Sequence, residues 1–474
     1  MLFLAHFRRS AARRALSRAE FAAALMIVVM AAAVGRAASA GAVEFQVAVF
    51  SADVTIPLGH RCMGILPRKS ERIVDPLYAH GVVLLGGGEP IVLLAVDWCE
   101  IRNGAYDQWR DALAKAAGTS QERVLVASLH QHDAPVTDSG AAEILTAAGL
   151  DGELFDVQFQ AETIARVATA LADSLSLAQP ITHIGMGQAR VERIASNRRM
   201  VAADGSVNFN RGSNSGGDAI CRDAPEGEID PFLKTISFWN EDKPIVAIQN
   251  YATHPMSYYG RGEVTSDFVG LARERRQRDD LSVRQICFTG CGGDVTAGKY
   301  NAGTPDDRRA LTERLYQAMV AAWENTRRVP LEQIDFRSAE VQFEFHPRPG
   351  LSESALQAAV ADESLTTEQR ILAAMGLSSR RRVAAGQPID VPCVDFGAAQ
   401  IVLLPGESFV GFQLTAQQLR PDSFVMAIGY GESWTGYVPT ESAFNDGFTN
   451  DWLWVAPGSE ARLSAALRQV LAGD

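Results

Sequence analysis

Two histidines with one residue between them close an apolar run, and they are the residues in this sequence best suited to chemistry. The apolar run of residues 124–129 leads into His130 and His132, and Asp133 and Pro135 follow. In a β-strand alternate side chains share a face, so the two imidazoles would point the same way, roughly 6.5 to 7 Å apart. That separation suits two groups that serve one reaction centre, such as a bound metal ion.

The residues after this pair predict where the strand stops. Pro135 cannot continue a central strand, so we expect the strand to end near His130 and to leave both rings at the end of the sheet. Open α/β sheets place their sites at such strand ends. A single histidine more often lies on the surface or donates to a carbonyl, so a metal site requires further ligands from elsewhere in the chain.

Other apolar runs also end in residues that bind metals or transfer protons. Residues 245–252 lead to His254, residues 283–288 to Asp294, residues 401–404 to Glu407, and residues 425–428 towards Tyr437. Two neutral imidazoles and a carboxylate form a familiar catalytic zinc set, in which an open position holds water. Taken alone, Glu407 is also typical of a carboxylate near a helix N-terminus.

The elements that would position these residues alternate between strands and helices. Residues 82–85 and 91–97 flank three glycines and predict a β-hairpin. Thr304 and Asp307 have the spacing of a helix capping box. Helical patterns are predicted at residues 109–117, 159–177, 304–323 and 459–471. This order predicts an α/β fold with mixed β-sheets flanked by helices, in one large domain.

Two segments differ from this pattern. Residues 196–230 are rich in Gly, Asn, Ser and Asp and predict a long loop, which is either a wall or lid of a site or simply mobile. Residues 351–390 predict a helical excursion, and we interpret its Arg380-Arg381-Arg382 run as solvated surface.

The first 40 residues differ in composition from the rest. Five arginines between Arg8 and Arg18 precede an apolar run, and Ala38-Ser39-Ala40 is typical of a cleavage site. We therefore expect residues 1–40 to be a signal peptide, with a signal anchor as the alternative, and residues 41–474 to form a secreted or periplasmic domain. No later stretch reaches the roughly 20 apolar residues that a membrane span requires.

Charge and cysteine content limit the partners. Residues 1–40 hold six Arg and one Glu, a net +5, so their removal takes the formal charge from −12 to −17. Nucleic acid and anionic membranes are therefore poor partners, and the oligomeric state stays open. An exported chain permits disulfides. Among the six cysteines we predict a Cys221–Cys393 bridge, because both lie in loop-like surroundings, and we expect Cys99 and Cys287 to be buried.

Seven motifs in order resemble the catalytic domain of the neutral ceramidases, over most of residues 45–445. The matching segments are residues 52–59, 75–79, 130–135, 252–255, 293–296, 405–407 and 436–440. The resemblance implies a ceramidase-like catalytic domain that hydrolyses an amide bond with one Zn²⁺ per chain. It places the zinc ligands on His130, His254, Glu407 and Tyr437.

The resemblance also assigns the remaining site residues. His132 matches a catalytic histidine, Arg198 matches an arginine that faces the substrate carbonyl, and Thr296 stands where ceramidases have a serine long regarded as functional. Three further residues are expected to contact substrate, namely Asn197, Gly293 and Asp294.

Two departures from the ceramidase pattern lead us to expect a substrate that differs from ceramide and is smaller. Thr296 keeps a hydroxyl but adds a methyl group, and the chain ends soon after Tyr437, where ceramidases continue into an immunoglobulin-like domain.

We expect a zinc-dependent hydrolase of ceramide or another N-acyl amide, with a small-molecule or lipid substrate. The alternatives are an esterase, lactonase or sugar-amide hydrolase on the same metal, or a non-catalytic periplasmic binding protein with structural zinc. His132 discriminates between these classes, because a closed structural site has no use for a spare imidazole.

Overall fold

A five-stranded mixed sheet opens the part of the chain that the computed structural model describes, residues 44–472. From one edge to the other its strands are Val124–Ser128, Ile91–Val96, Tyr78–Leu85, Gln46–Asp53 and Gln179–Pro180. The predicted hairpin is confirmed, because Tyr78–Leu85 runs antiparallel to Ile91–Val96. Val124–Ser128 pairs parallel with Ile91–Val96, and every residue of both strands is buried. Burial on both faces explains their nearly unbroken apolar sequences.

Two further sheets have the same mixed character. The five-stranded sheet contains, in order, Arg284–Thr289, Lys243–Tyr251, Phe232–Asn240, His183–Arg190 and Arg327–Pro330. The four-stranded sheet contains Asp335–Val341, Ile389–Asp395, Ala399–Leu403 and Phe424–Ile428. Each has one parallel pair at an edge, formed by its first two strands in the five-stranded sheet and its last two in the four-stranded sheet. The predicted α/β fold with mixed sheets is therefore confirmed.

The carboxyl ends of the three parallel pairs are joined by hydrogen bonds. The backbone N–H of Ser128 donates to the carbonyl of Tyr430 at 3.0 Å, and that of Gly429 donates to Thr289 at 3.0 Å. The Thr289 hydroxyl donates to the carbonyl of Leu129 at 2.7 Å. One hydrophobic core draws residues from all three sheets. These hydrogen bonds therefore fix the three strand ends relative to one another, and with them the start of the segments that follow.

Helices pack against the sheets and against one another. Their bounds are Asn103–Ala117, Ser139–Ala147, Val157–Leu175, Ala219–Asp223, Asp267–Asp279, Pro305–Glu324, Glu353–Ala361, Thr367–Ala384, Val410–Leu419, Glu441–Asn445 and Ser459–Leu471. The predicted capping box of Thr304 and Asp307 is confirmed. The helix predicted at residues 159–177 begins two residues earlier, because Asp156 caps it by accepting from the N–H of Phe159 at 2.9 Å.

The remaining strands of the described residues are short and form pairs. They are Arg72–Ile73, Glu100–Arg102, Val136–Asp138, Ser196–Asn197, Met200–Val201, Val207–Asn208, Glu263–Val264, Val295–Thr296, Glu407–Ser408 and Tyr437–Val438. The predicted helical excursion is confirmed by two helices between residues 353 and 384, but its arginines are not all solvated. The Arg382 side chain is 9% exposed and pairs with Asp107 at 2.7 Å, because its helix packs against Asn103–Ala117.

The predicted disulfide is wrong. All six cysteines lie within residues 44–472 and are free, buried thiols. Cys393 lies on the strand Ile389–Asp395 inside the core, and Cys221 lies in a short helix with its Sγ 3.9 Å from the carbonyl of Asn210. Cys221 and Cys393 are therefore buried in two different structural elements and do not lie in loops, as the prediction assumed.

The predicted signal peptide, residues 1–40, lies outside the described residues. Within residues 44–472, none of the helices combines the length and the apolar character that crossing a bilayer requires.

Candidate functional site

His130 departs from the strand geometry that the sequence predicted. The strand ends two residues earlier, and His130 has φ +68°, a left-handed conformation that bulky residues rarely adopt. Its ring stacks on Tyr430 with centroids 4.2 Å apart, and its Nδ1–H donates to the carbonyl of Cys99 at 3.0 Å. The centroids of His130 and His132 lie 5.1 Å apart with the rings nearly perpendicular. The left-handed turn places Nε2 of His130 3.4 Å from Oε2 of Glu407.

His254 reaches the same carboxylate from the second sheet. It follows the strand Lys243–Tyr251 and is fully buried. Its Nδ1–H lies 2.6 Å from the carbonyl oxygen of Gly292 and 3.1 Å from that of Val295. Its Nε2 lies 2.9 Å from Oε2 of Glu407. The glycine-rich turn after the strand Arg284–Thr289 therefore fixes the ring of His254.

Glu407 and Tyr437 follow, in the sequence, the two parallel strands of the four-stranded sheet. They are direct partners in the parallel pair formed by Glu407–Ser408 and Tyr437–Val438. Gly293 packs on the backbone of Glu407, where an added Cβ would lie 2.9 Å from the carbonyl carbon of Glu407. Burial, and then the charge of Glu407, raise the pKa of the Tyr437 phenol. Tyr437 therefore faces the cluster as a neutral phenol.

The donor set of His130, His254 and Glu407 fits a divalent metal ion such as zinc. Backbone carbonyls only accept hydrogen bonds, so Nδ1 of each histidine carries its proton and each Nε2 faces Glu407. Imidazole lone pairs directed at a carboxylate are repelled unless a proton or a cation lies between them. Metal-binding histidines are commonly fixed by such a bond from the other ring nitrogen. One ligand atom from each residue lies within 4.8 Å of the others.

The charge of each residue in this cluster affects the pKa values of the others. Burial opposes ionisation of Glu407, yet the neighbouring His130 and His254 hold the pKa of Glu407 far below its usual range. Burial likewise opposes a charge on His130, but Glu407 raises its pKa. Burial, followed by the charge of Arg198, lowers the pKa of His254 to about 4. The carboxylate is therefore ionised and ready to accept a cation.

Cys99 belongs to a second group of possible ligands, with His130 and His132. Burial, and then the charge of Glu100, raise the pKa of the Cys99 thiol well above its ordinary value. Metals bind the thiolate rather than the thiol. The group that contains the Glu407 carboxylate is therefore the better donor set.

His132 stands beside the cluster, and its ring has no hydrogen-bond partner in the described part of the chain. The residue is 6% exposed, and neither ring nitrogen has a partner among the described residues. Its ring lies against Tyr259 with centroids 4.9 Å apart. Burial, and then the neighbouring His130 and His254, hold the pKa of His132 well below its ordinary value. His132 is therefore a neutral imidazole that is available to a ligand.

A pocket of about 280 Å³ opens onto this cluster. His130, Glu407 and Tyr437 are buried residues of its wall, whereas the exposed Asn214 and Asn450 lie where it meets solvent. Arg198 also lines the pocket, and its guanidinium has no ion pair within residues 44–472. The pocket therefore combines a buried donor set with an imidazole and a guanidinium that make no hydrogen bond or ion pair, respectively, within residues 44–472.

Besides His254, which belongs to the cluster itself, four predicted site residues do not line this pocket. Asn197 and Asp294 line a neighbouring cavity of about 300 Å³, and the Asn197 amide donates to Asp294 Oδ2 at 2.8 Å. Asp294 Oδ1 accepts from the N–H of Val410 at 2.8 Å. Gly293 supports Glu407 from behind, and Thr296 is fully buried with its hydroxyl on Ser213 at 2.8 Å. These four residues shape the site without forming the wall of its pocket.

Sequence reasoning missed several residues of the pocket wall. Glu100 is buried, accepts from Arg102 at 3.0 Å and accepts from the Trp452 indole N–H at 3.1 Å. Ser213 and Tyr259 also line the pocket. Glu100 follows an apolar run as the predicted site residues do, and that pattern was its only local signal. The segment of residues 196–230 contributes Arg198 and Ser213 to the wall of the pocket, and besides loops it contains short strands and the helix Ala219–Asp223.

The fold and this cluster define a class of protein, an α/β domain in which strand ends of three sheets bring two histidines and a glutamate together. No protein-family model matches the sequence. No curated protein matches it either. The fold, by contrast, is found among solved structures.

Two of the similar solved structures are ceramidases. The crystal structure of neutral ceramidase from Pseudomonas aeruginosa superposes with a TM-score of 0.67 over 91% of this chain and 74% of that chain, at 16% identity. A ceramidase complexed with C2 superposes with a TM-score of 0.66 over 91% of this chain and 75% of that chain, also at 16% identity. The chain therefore has the neutral ceramidase fold, and the resemblance seen in the seven motifs is confirmed for the fold.

Proposed function

We propose that this chain is a zinc-dependent hydrolase that cleaves the amide bond of ceramide or a related N-acyl compound. The observation that carries the proposal is His132, a buried imidazole with both ring nitrogens unbonded among the described residues, beside His130, His254 and Glu407. A purely structural zinc site needs four protein ligands and no additional base. An unbonded imidazole in the pocket wall is what general acid–base catalysis requires.

One zinc ion per chain would be held by His130, His254, Glu407 and Tyr437. When bound, zinc polarises a carbonyl oxygen and activates water for attack at neutral pH. Nδ1–H bonds to backbone carbonyls keep both imidazoles in the tautomer that presents Nε2. Tyr437 is the weakest of the four ligands, because burial and Glu407 keep its phenol protonated.

Two residues of the pocket wall would act on the substrate directly. His132 would take a proton from the attacking water and return it to the leaving amine. Arg198 has a guanidinium without an ion pair among the described residues, so its charge is free to orient the substrate carbonyl and stabilise the developing oxyanion. Tyr437, with its phenol proton, would assist Arg198 at the same oxygen.

The pocket volume favours a small substrate, or one that enters only in part. At about 280 Å³, the pocket lies near the lower end of the roughly 300 to 1,000 Å³ that is usual for ligand pockets. Ceramide with two long chains is far larger, so its chains would have to lie outside the pocket. We therefore propose an N-acyl compound whose scissile amide carries short or polar substituents.

The remaining assignments concern the compartment. We propose that residues 1–40 are a cleaved signal peptide and that the ceramidase-like domain of residues 41–474 acts in the periplasm or outside the cell. The positive amino-terminal segment with its apolar run supports export. The formal charge of −12, which becomes more negative when that segment is removed, argues against nucleic acid as a partner.

His132→Ala tests the proposal directly. The variant should keep its zinc, while turnover of the best N-acyl substrate should fall roughly 10²- to 10⁴-fold, the usual contribution of general acid–base catalysis. His254→Ala should instead lose zinc, because it removes one of the converging Nε2 atoms. His346→Ala is the matched control, because His346 is only partly buried and lies outside the pocket wall.

The same variants can contradict the proposal. Loss of zinc in His132→Ala would make His132 a ligand and would favour a closed, structural site. Retention of both zinc and full turnover in His132→Ala would show that the mechanism is wrong. Full zinc occupancy in His254→Ala would overturn the ligand assignment.

A further inference from the structure

Ser213 is a hydroxyl-bearing residue that lines the pocket beside the proposed metal ligands. It belongs to the segment Gly212-Ser213-Asn214, all three residues of which line the pocket. Ser213 is 7% exposed, although its neighbour Asn214 lies in solvent. A polar side chain that is buried against a ligand pocket needs hydrogen-bond partners, in the protein or in the ligand.

The backbone around Ser213 is held firmly. Asn301 Nδ2 donates to the carbonyl of Ser213 at 2.7 Å, and the Ser215 hydroxyl donates to the carbonyl of Gly212 at 3.0 Å. Gly298 packs so closely on Gly212 that an added Cβ would lie 3.0 Å from its carbonyl carbon. These contacts hold the backbone of Ser213 in a defined position, although much of residues 196–230 has no regular secondary structure.

The hydroxyl of Ser213 is itself oriented by Thr296. The Thr296 hydroxyl donates to Ser213 Oγ at 2.8 Å, and Thr296 is fully buried behind the pocket wall. Because Ser213 Oγ accepts this bond, its own proton must point elsewhere, and none of the described residues accepts it. A hydroxyl that accepts a hydrogen bond also becomes a stronger donor. The proton of Ser213 is therefore available to a ligand in the pocket.

We propose that Ser213 is a substrate-contacting residue, which donates a hydrogen bond to an oxygen of the N-acyl compound next to the scissile amide. Thr296 acts through it as a positioning residue and does not touch the substrate. This inference rests on the proposed hydrolase function. It transfers the role of the site hydroxyl from Thr296, as the sequence suggested, to a serine in the loop of residues 196–230.

The test is a double-mutant cycle on kcat/KM for the best N-acyl substrate, with zinc content measured for every variant. Ser213→Ala should keep one zinc per chain and lose roughly 5- to 100-fold in kcat/KM, the usual effect of one lost hydrogen bond to substrate. Thr296→Val should lose several-fold on its own. In the Ser213→Ala background it should cost nothing further, because Thr296 acts only through Ser213.

Two controls separate this role from general loss of structure. Thr296→Ser keeps the donating hydroxyl and should have kcat/KM near that of the wild type. Ser174→Ala removes a buried hydroxyl that donates to the carbonyl of Leu171 within a helix outside the pocket wall, and it should leave kcat/KM unchanged. If Ser213→Ala does not fold, the comparison of Thr296→Val with Thr296→Ser decides the question.

Each result has one meaning. Wild-type kcat/KM in Ser213→Ala, or equal losses in Thr296→Val and Thr296→Ser, overturns the inference and leaves the hydrolase function standing. Additive losses in the double variant give Thr296 its own role and also overturn it. A zinc-loaded wild-type protein that cleaves no N-acyl compound overturns the proposed function, and this inference with it.

Discussion

Gly293→Ala should damage the site without changing any residue of the pocket wall. An added Cβ would lie 2.9 Å from the carbonyl carbon of Glu407, about 0.5 Å inside the 3.4 Å at which ordinary contact begins, and closer still to the carbonyl oxygen. Both clashing atoms belong to backbone, so Glu407 must move. A site needs its groups within about 0.5 Å of the productive geometry. We expect kcat/KM to fall roughly 10²-fold, the cost of a displacement of this order, and zinc affinity to fall with it.

The assay for this variant is zinc titration together with hydrolysis of the best N-acyl substrate. Gly350→Ala is the matched control, because a Cβ at Gly350 meets nothing within 4 Å and its φ is not in the left-handed region. It should bind zinc and turn over substrate as the wild type does. Wild-type zinc affinity and turnover in Gly293→Ala would refute the argument that Gly293 positions Glu407.

Three further predictions follow from other parts of the chain. Arg273→Met should cost about 3–5 kcal/mol in urea unfolding, because it leaves Asp97, buried and paired to Arg273 at 2.6 Å, without its partner. Burial raises the pKa of Glu432 to about 7 despite Arg382, so the folded chain binds an extra proton and loses this contribution to stability as pH rises through 7. From pH 5 to pH 8 the free energy of unfolding of Glu432→Gln should therefore rise, relative to that of the wild type, by on the order of 1–3 kcal/mol. Unfolding measured at each pH checks this. N-terminal sequencing of the exported protein should begin near Gly41, whereas an intact Met1 in a membrane fraction would support an anchor.

Local sequence signals predicted much of this fold. Apolar runs that stop at glycine or proline predicted the strands before His254 and Glu407, because short apolar runs bounded by turn residues are typical of strands that are buried on both faces. The capping box at Thr304 was also predictable, because its hydrogen bonds join residues that are three apart in the sequence. These features depend on residues that are close in sequence.

The geometry of His130 was not predictable in this way. A His-x-His pair after an apolar run is typical of a strand, yet His130 adopts φ +68°. The bonds that fix this turn come from distant segments. The N–H of His130 donates to the carbonyl of Trp98 at 2.9 Å, and its ring stacks on Tyr430. Tertiary contacts therefore overrode the local strand preference.

The loop of residues 196–230 illustrates the same limit. Its composition predicted irregular structure and a role at the site, but not the residue that organises it. Arg211 is fully buried and donates to the carbonyls of Asn197 at 2.8 Å, Cys221 at 3.0 Å and Ala224 at 3.1 Å. A buried arginine has no local signature, so the position of the neighbouring Ser213 was hidden as well.

The most direct test of the central claim is amide hydrolysis by the purified protein, with metal content measured before and after chelation. The assay would follow release of the amine from N-acyl compounds with short, polar and long acyl chains. We predict one zinc per chain, cleavage of the short or polar N-acyl amides, loss of that activity when zinc is removed, and its return when zinc is restored. Hydrolysis that persists without metal, or a zinc-loaded protein that cleaves none of the amides, would contradict this account.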